Sequence, residues 1–228
     1  MRKQLVVFDV DGTLTRTMAL DTELYVEAVT QVLSLGRVDI DWSGYRNVTD
    51  TGVTIELIER HLGRQATRAD LDSVRDRFLA LLGSELTANP HRCRATPGAG
   101  PMLKALRAHA RLVCAVATGA WRESALLKTR CARVQICDLP MATCEDSHRR
   151  ETILRTSVTR ALSQYRLPEE TGVVFVGDGV WDVRAAQTAG VRFVGIGCDS
   201  GAQKLHAAGA SVVIQDFMDL PRFLDAVS

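Results

Sequence analysis

An apolar run that ends in a carboxylate, with a second carboxylate two positions on and then a glycine, can do chemistry on an anion. The sequence has this arrangement at Val6-Val7-Phe8-Asp9-Val10-Asp11-Gly12-Thr13. The glycine permits a sharp turn where a buried strand ends. Two acids that close together repel unless a cation sits between or beside them. The theme returns at Val174-Phe175-Val176-Gly177-Asp178, with Asp182 four residues further at a helix start. Taken singly, each feature has a plain explanation, since Asp-Gly is a common turn and an acidic residue caps a helix. Capping does not explain two strand ends that each present a pair of carboxylates. In an open parallel sheet the carboxyl ends of the strands form the crevice where ligands bind. Clustered carboxylate oxygens there suit Mg²⁺, which keeps several waters and binds through one or two carboxylates plus a substrate phosphate.

A third apolar run, Leu112 to Ala117, leads into Thr118-Gly119-Ala120 and offers a hydroxyl and backbone N–H groups suited to phosphate oxygens. The elements that must carry these residues are short and rich in valine: Leu5 to Phe8, Leu112 to Ala117, Val134 to Cys137, Val173 to Val176, Phe193 to Ile196 and Val212 to Ile214. Continuous apolar character suits parallel strands buried on both faces. Helical periods lie between most of them, at Pro101 to His109, Glu151 to Leu162 and Val180 to Ala189. The alternation predicts an α/β fold with a doubly wound, Rossmann-like parallel sheet.

The rhythm breaks after Thr15. Residues 16–95 show no strand and three amphipathic helices, the first ending at Gly36, the second before Gly63, the third running from near Thr67 to Gly83. This predicts a core domain of residues 1–15 and 96–228, with a helical domain of residues 16–95 inserted into it.

The 28 basic and 27 acidic residues leave a net charge of +1, and neither sign forms a block that would track nucleic acid or an anionic membrane. A small molecule is the expected partner. The six cysteines are scattered without a C-x-x-C pair and are read as buried thiols of a cytoplasmic protein. Only four apolar residues precede Asp9, too few for a signal peptide, and no run approaches the roughly 20 residues of a membrane span.

The D-x-D-G-T start, a strand-terminal Thr, a basic residue and a late G-D-x-x-x-D, in that order, resemble the haloacid dehalogenase-like phosphatases. The resemblance spans almost the whole chain. It implies that Asp9 is the nucleophile and that Asp11 is the general acid and base, with its main-chain carbonyl on the metal. Asp178 would be a direct Mg²⁺ ligand, with Asp182 in or beside that shell and Thr118 and Gly119 on the phosphate. A carboxylate nucleophile splits one difficult hydrolysis into two displacements.

The chain departs from the family at the usual lysine, since none lies between Lys128 and Lys204. Arg150, at the start of the helix before the Asp178 strand, is expected to serve instead, with Arg149 as its rival. The insertion resembles the family's cap, which excludes water and contacts the leaving group. Thr15, Arg16 and Thr17 at the crossing and the loop Tyr45 to Gly52 are candidate substrate contacts, with Arg46 the cation for a substrate bearing a second anion. His148 lies nearest the chemistry among the histidines and reads as solvated. The placement of the cap is similar to phosphoglycolate phosphatase-like members. The expected activity is Mg²⁺-dependent hydrolysis of a small phosphate monoester. Its rivals are a phosphomutase of the β-phosphoglucomutase type and a non-catalytic phosphate-ligand-binding protein on the same fold. A phosphonate hydrolase would want a cap lysine, and residues 16–95 contain none.

Overall fold

The computed structural model describes residues 3–228; Met1 and Arg2, which open the expected core domain, lie outside the described residues. The chain begins with strand β1 (Gln4–Phe8), then enters the insertion as helix α1 (Met18–Leu33), α2 (Asp50–Leu62) and α3 (Arg68–Ala88). It continues as α4 (Ala99–Ala108), β2 (Leu112–Ala117), α5 (Arg122–Cys131), β3 (Met141–Ala142) and α6 (Arg150–Tyr165). The last part is β4 (Gly172–Gly177), α7 (Val180–Ala189), β5 (Arg192–Ile196), α8 (Asp199–Ala207), β6 (Val212–Ile214) and α9 (Leu220–Val227).

The strands form one parallel sheet in the order β3-β2-β1-β4-β5-β6. Winding runs outward from β1 to one edge, then returns to β4 and runs to the other, so the chain reverses direction beside β1. That is the doubly wound order that places a binding crevice at the carboxyl ends of the central strands. Alternation along β1 explains why its apolar run is unbroken. Leu5 and Val7 pack with Ala115, Phe175 and helix α6 on one face, while Val6 and Phe8 pack with Val116, Val176 and helices α4 and α9 on the other. The apolar cluster on the α6 side continues without a break into the insertion through Tyr25, Phe78 and Trp121, whose rings lie 5.4–6.4 Å apart.

Four expectations need correction. Val134 to Cys137 is not a strand: Val134 N–H closes the end of α5 on Thr129 O, Leu139 N–H turns back on Ile136 O, and the third strand is Met141–Ala142. Val134 and Ile136 are buried, so the apolar run is a core-packed turn, a state that periodicity alone does not separate from a strand. Helix α3 runs through Gly83 to Ala88, held in phase by Val74, Phe78 and Leu82 in the core. Helix α1 stops at Leu33, with Ser34 in the left-handed region, short of Gly36. Of the cysteines, Cys93, Cys114 and Cys144 are buried, but Cys137 and Cys198 are exposed. No helix among the described residues is long and apolar enough to cross a membrane.

Candidate active site

Asp9 follows β1 directly, and its N–H still bonds to Val176 O of β4, so its backbone is fixed by the sheet. The chain then tightens, with Thr15 N–H and Leu14 N–H both bonded to Val10 O and Gly12 N–H to Thr15 O. Gly12 sits at φ +82, and a Cβ there would lie 1.9 Å from Asp178 Oδ2. Only glycine lets this turn press against the carboxylate from β4. Thr13 Oγ1 donates to Asp178 Oδ1 at 3.2 Å. The two strand-end motifs, 165 residues apart in sequence, thus meet side by side.

Arg150, the first residue of α6, is the cation at Asp9. Its Nη1 lies 3.0 Å from Asp9 Oδ1 and its Nε 3.4 Å from Asp182 Oδ1. Arg149 points away and pairs with Glu151. The guanidinium packs on Gly119, where a Cβ would come within 3.0 Å of Arg150 Cζ, so that glycine clears the path. Asp182 is buried and has two roles, accepting Gly179 N–H with one oxygen to cap α7 and facing Arg150 with the other.

Asp9, Asp178 and Asp182 each place a carboxylate oxygen within 4.8 Å of the others. Burial, opposed by Arg150 and reinforced by repulsion from Asp182 and Asp11, raises the Asp9 carboxyl from 3.8 to about 7. Burial likewise raises Asp178 well above the usual carboxylate range, with Asp9 and Asp182 adding to it, and raises Asp182. One guanidinium does not balance this charge. A divalent cation fits the donor set, because hard carboxylate oxygens are what Mg²⁺ prefers.

The sign of the pH effect follows. A carboxyl raised in the folded state contributes stability that is complete below its unfolded value and is lost as pH rises through the folded one. For Asp9 that window runs from about pH 4 to about pH 7. A divalent cation offsets the loss only where the carboxylates are ionised. The rise in Tm on adding Mg²⁺ is therefore expected to be larger at pH 8 than at pH 5.5. An equal rise at both would mean that the ion does not use these residues.

Asp11 is held by a residue that the sequence reading passed over. Lys128, wholly buried on α5, places Nζ 2.7 Å from Asp11 Oδ2 and 2.5 Å from Asp21 Oδ1 on α1. Burial alone would push this ammonium down, but Asp11, Asp21 and Asp50 outweigh it and hold its pKa above the ordinary lysine range. Thr17 Oγ1 donates to the other Asp11 oxygen at 2.6 Å, and Thr15 is hydrogen-bonded to Thr17 and Val10 O. The signal was present in the helical phase, because Ser124, Ala125, Lys128 and Thr129 form the buried stripe of α5. In a chain with only four lysines, one on such a stripe calls for a partner.

A pocket of about 560 Å³ opens over Asp9 and Asp11, walled by Thr118, Gly119 and Arg150 from the sheet side and by Asp21, Tyr25, Trp42 and Asp50 from the insertion. Burial, aided by repulsion from Asp11, raises Asp21 to about 6 despite the pull of Lys128. Asp50 Oδ2 accepts Trp121 N–H at 3.0 Å, which ties the insertion to the start of α5. Of the candidate substrate contacts, Thr15, Arg16, Thr17 and Arg46 stand outside the pocket, and Thr15 and Thr17 are buried. Arg16 is exposed and joins the crossing through its backbone N–H to Arg94 O. Arg46 is two-thirds exposed and paired with Glu59 and Glu56. Among the described residues Arg150 is the cation lining this pocket. His148 is exposed, and only its backbone carbonyl is engaged, accepting from Thr49 Oγ1.

Residues 3–190 match the family described as haloacid dehalogenase-like hydrolase. The chain belongs to the haloacid dehalogenase-like hydrolases. No curated protein sequence matches it. The fold of this hydrolase is that of a hydrolase from Pseudomonas syringae, 21% identical with TM-score 0.76 over 100% of both chains. It is also similar to a putative beta-phosphoglucomutase from Bacteroides vulgatus, 16% identical with TM-score 0.70 over 99% of this chain and 89% of that one. A predicted phosphoglycolate phosphatase from Haemophilus somnus is 17% identical with TM-score 0.60, covering 98% and 99%. As a haloacid dehalogenase-like hydrolase, the chain carries the four carboxylates and the basic side chain on which its family resemblance rests, Asp9, Asp11 and Asp178 after strands and Arg150 and Asp182 in the first turns of α6 and α7.

Proposed function

We propose that this hydrolase is a Mg²⁺-dependent phosphatase that cleaves a small phosphate monoester through an aspartyl-phosphate on Asp9. The observation that carries the reading is the pairing of Asp9 with Arg150 at 3.0 Å on the floor of a pocket that also contains Asp11. Arg150 presents a fixed fork to phosphate oxygens, and Thr118 adds a hydroxyl at the end of β2. Asp9 attacks phosphorus in line with the ester oxygen, the P–O ester bond breaks, and Asp11 delivers its proton to the leaving alkoxide. Water then attacks the aspartyl-phosphate, Asp11 takes the water's proton, and the bond from phosphorus to Asp9 Oδ breaks to free phosphate and restore Asp9. Mg²⁺, held by Asp9, Asp178 and the main-chain carbonyl of Asp11 with Asp182 beside them, would supply the positive charge that offsets repulsion between Asp9 and an anionic substrate.

Residues 16–95 act as a cap over this floor, with Asp21, Tyr25, Trp42 and Asp50 against the leaving group. A mutase of the bisphosphate type would put a second phosphate where Asp21 and Asp50 stand, and that favours hydrolysis. The test is phosphate release from a panel of small monoesters with Mg²⁺ and with EDTA. Mg²⁺-dependent release is expected; turnover that survives EDTA, or an isomerised sugar phosphate in place of free phosphate, would replace this reading. In the same panel Arg46→Ala is expected to leave KM for the best substrate within about twofold, because an exposed ion pair contributes little. A tenfold rise would return Arg46 to the substrate site.

A further inference from the structure

We propose that Lys128 is a positioning residue: it locks the Asp11 carboxylate in the orientation needed for proton transfer and ties that orientation to the insertion through Asp21. The inference rests on the phosphatase reading above. Lys128 does not line the pocket, so it has no direct contact to offer a substrate. Its ammonium lies behind the pocket wall, reaching one Asp11 oxygen from α5 while Thr17 donates to the other. With a donor on each oxygen, the carboxylate cannot turn about its Cβ–Cγ bond without breaking a charge-assisted hydrogen bond. A lone ammonium at zero exposure would be severely disfavoured, so the side chain is retained there because Asp11 and Asp21 pair with it directly.

The geometry has a directional consequence. Asp21 belongs to α1 of the insertion, whereas Lys128 belongs to α5 beside the sheet. When α1 is seated, the ammonium is shared between the two carboxylates and Asp11 is held from both sides. Displacement of α1 would carry away both Asp21 and the Thr17 hydroxyl that precedes the helix. The donors that orient Asp11 are therefore complete only when the leaving group is covered.

Proton delivery matters in proportion to how poor the leaving group is. An alkoxide needs the proton, whereas p-nitrophenolate departs without it. A general acid typically contributes about 100-fold to 10,000-fold. In full-length Lys128→Met, the ratio of kcat/KM for the best alkyl phosphate to that for p-nitrophenyl phosphate is expected to fall at least about tenfold relative to wild type. General damage to the fold would lower both substrates together and leave the ratio in place. If Lys128→Met does not fold, the double variant Lys128→Met/Asp21→Asn, which removes the charge of the insertion carboxylate bonded to the ammonium, is read in the same way. A smaller fall in the ratio, or an unchanged ratio, overturns the role of Lys128 alone. A wild-type protein that releases phosphate from neither ester overturns the phosphatase reading as well.

Discussion

Asp9→Asn is expected to lower phosphate release by at least about a thousandfold while raising the Tm of the metal-free protein at pH 8. The two effects have one cause. Asp9 is 2% exposed and faces Asp182 and Asp11, so its carboxyl is held near 7 and its charged form is disfavoured at the pH where it must act. An amide keeps the shape and removes the charge. It cannot attack phosphorus, and its carbonyl oxygen still accepts from Arg150, which keeps Asp182 as its second partner. A proposed nucleophile placed where its charge destabilises the fold is one form of the trade between stability and function. The measurements are phosphate release with saturating Mg²⁺ and thermal melting in EDTA. An active variant would remove Asp9 as nucleophile; an inactive one with a lower Tm would mean that the Arg150 pair outweighs burial.

The second large effect is structural. Gly12→Ala puts a methyl group 1.9 Å from Asp178 Oδ2 at a backbone φ of +82. Both the left-handed conformation and the overlap oppose it, for a loss of about 2–4 kcal/mol. In a chain of this size that lowers Tm by roughly 5–15 °C. Because relief comes by pushing Asp178 away, the gain in Tm on adding Mg²⁺ is expected to shrink in the same variant. A melting curve that overlays wild type in both conditions would show that the turn after Asp9 is slack.

The parts of this molecule that were legible in advance are those where local pattern and tertiary role agree. Strand ends carrying Asp9, Thr118 and Asp178 announce themselves because buried parallel strands are apolar throughout and stop at polar residues. Arg150 was placed by the resemblance, at the helix start where the family's lysine would sit, with Arg149 left as its rival. Val134 to Cys137 was misread because burial without hydrogen-bond pairing leaves the same apolar signature as a strand. Gly83 was misread because packing of Phe78 and Leu82 outweighs the helix preference of a single residue. Lys128 and Asp21 were missed for a different reason, and Asp50 was named only as one member of the loop Tyr45 to Gly52. Their chemistry exists only where α1, α2 and α5 converge, and no local spacing links positions 21, 50 and 128. Arg46 looked like a substrate cation, but in the fold it serves two glutamates of α2.

The chain enters the insertion after Thr15 and completes it at Ala95, and these two residues are bridged to one another, with Arg16 N–H on Arg94 O and Thr96 N–H on Leu14 O. In polymer terms, residues 16–95 hang from a stem whose ends are already closed. The entropy of closing a loop grows only with the logarithm of its length, so segments of very different size could be grafted onto this stem at nearly the same conformational cost. The first residues past the stem, Thr17 and Asp21, are those that grip Asp11 and Lys128. A grafted segment would therefore carry its own grip on Asp11, the proposed proton donor, and leaving-group preference and proton delivery would be exchanged together.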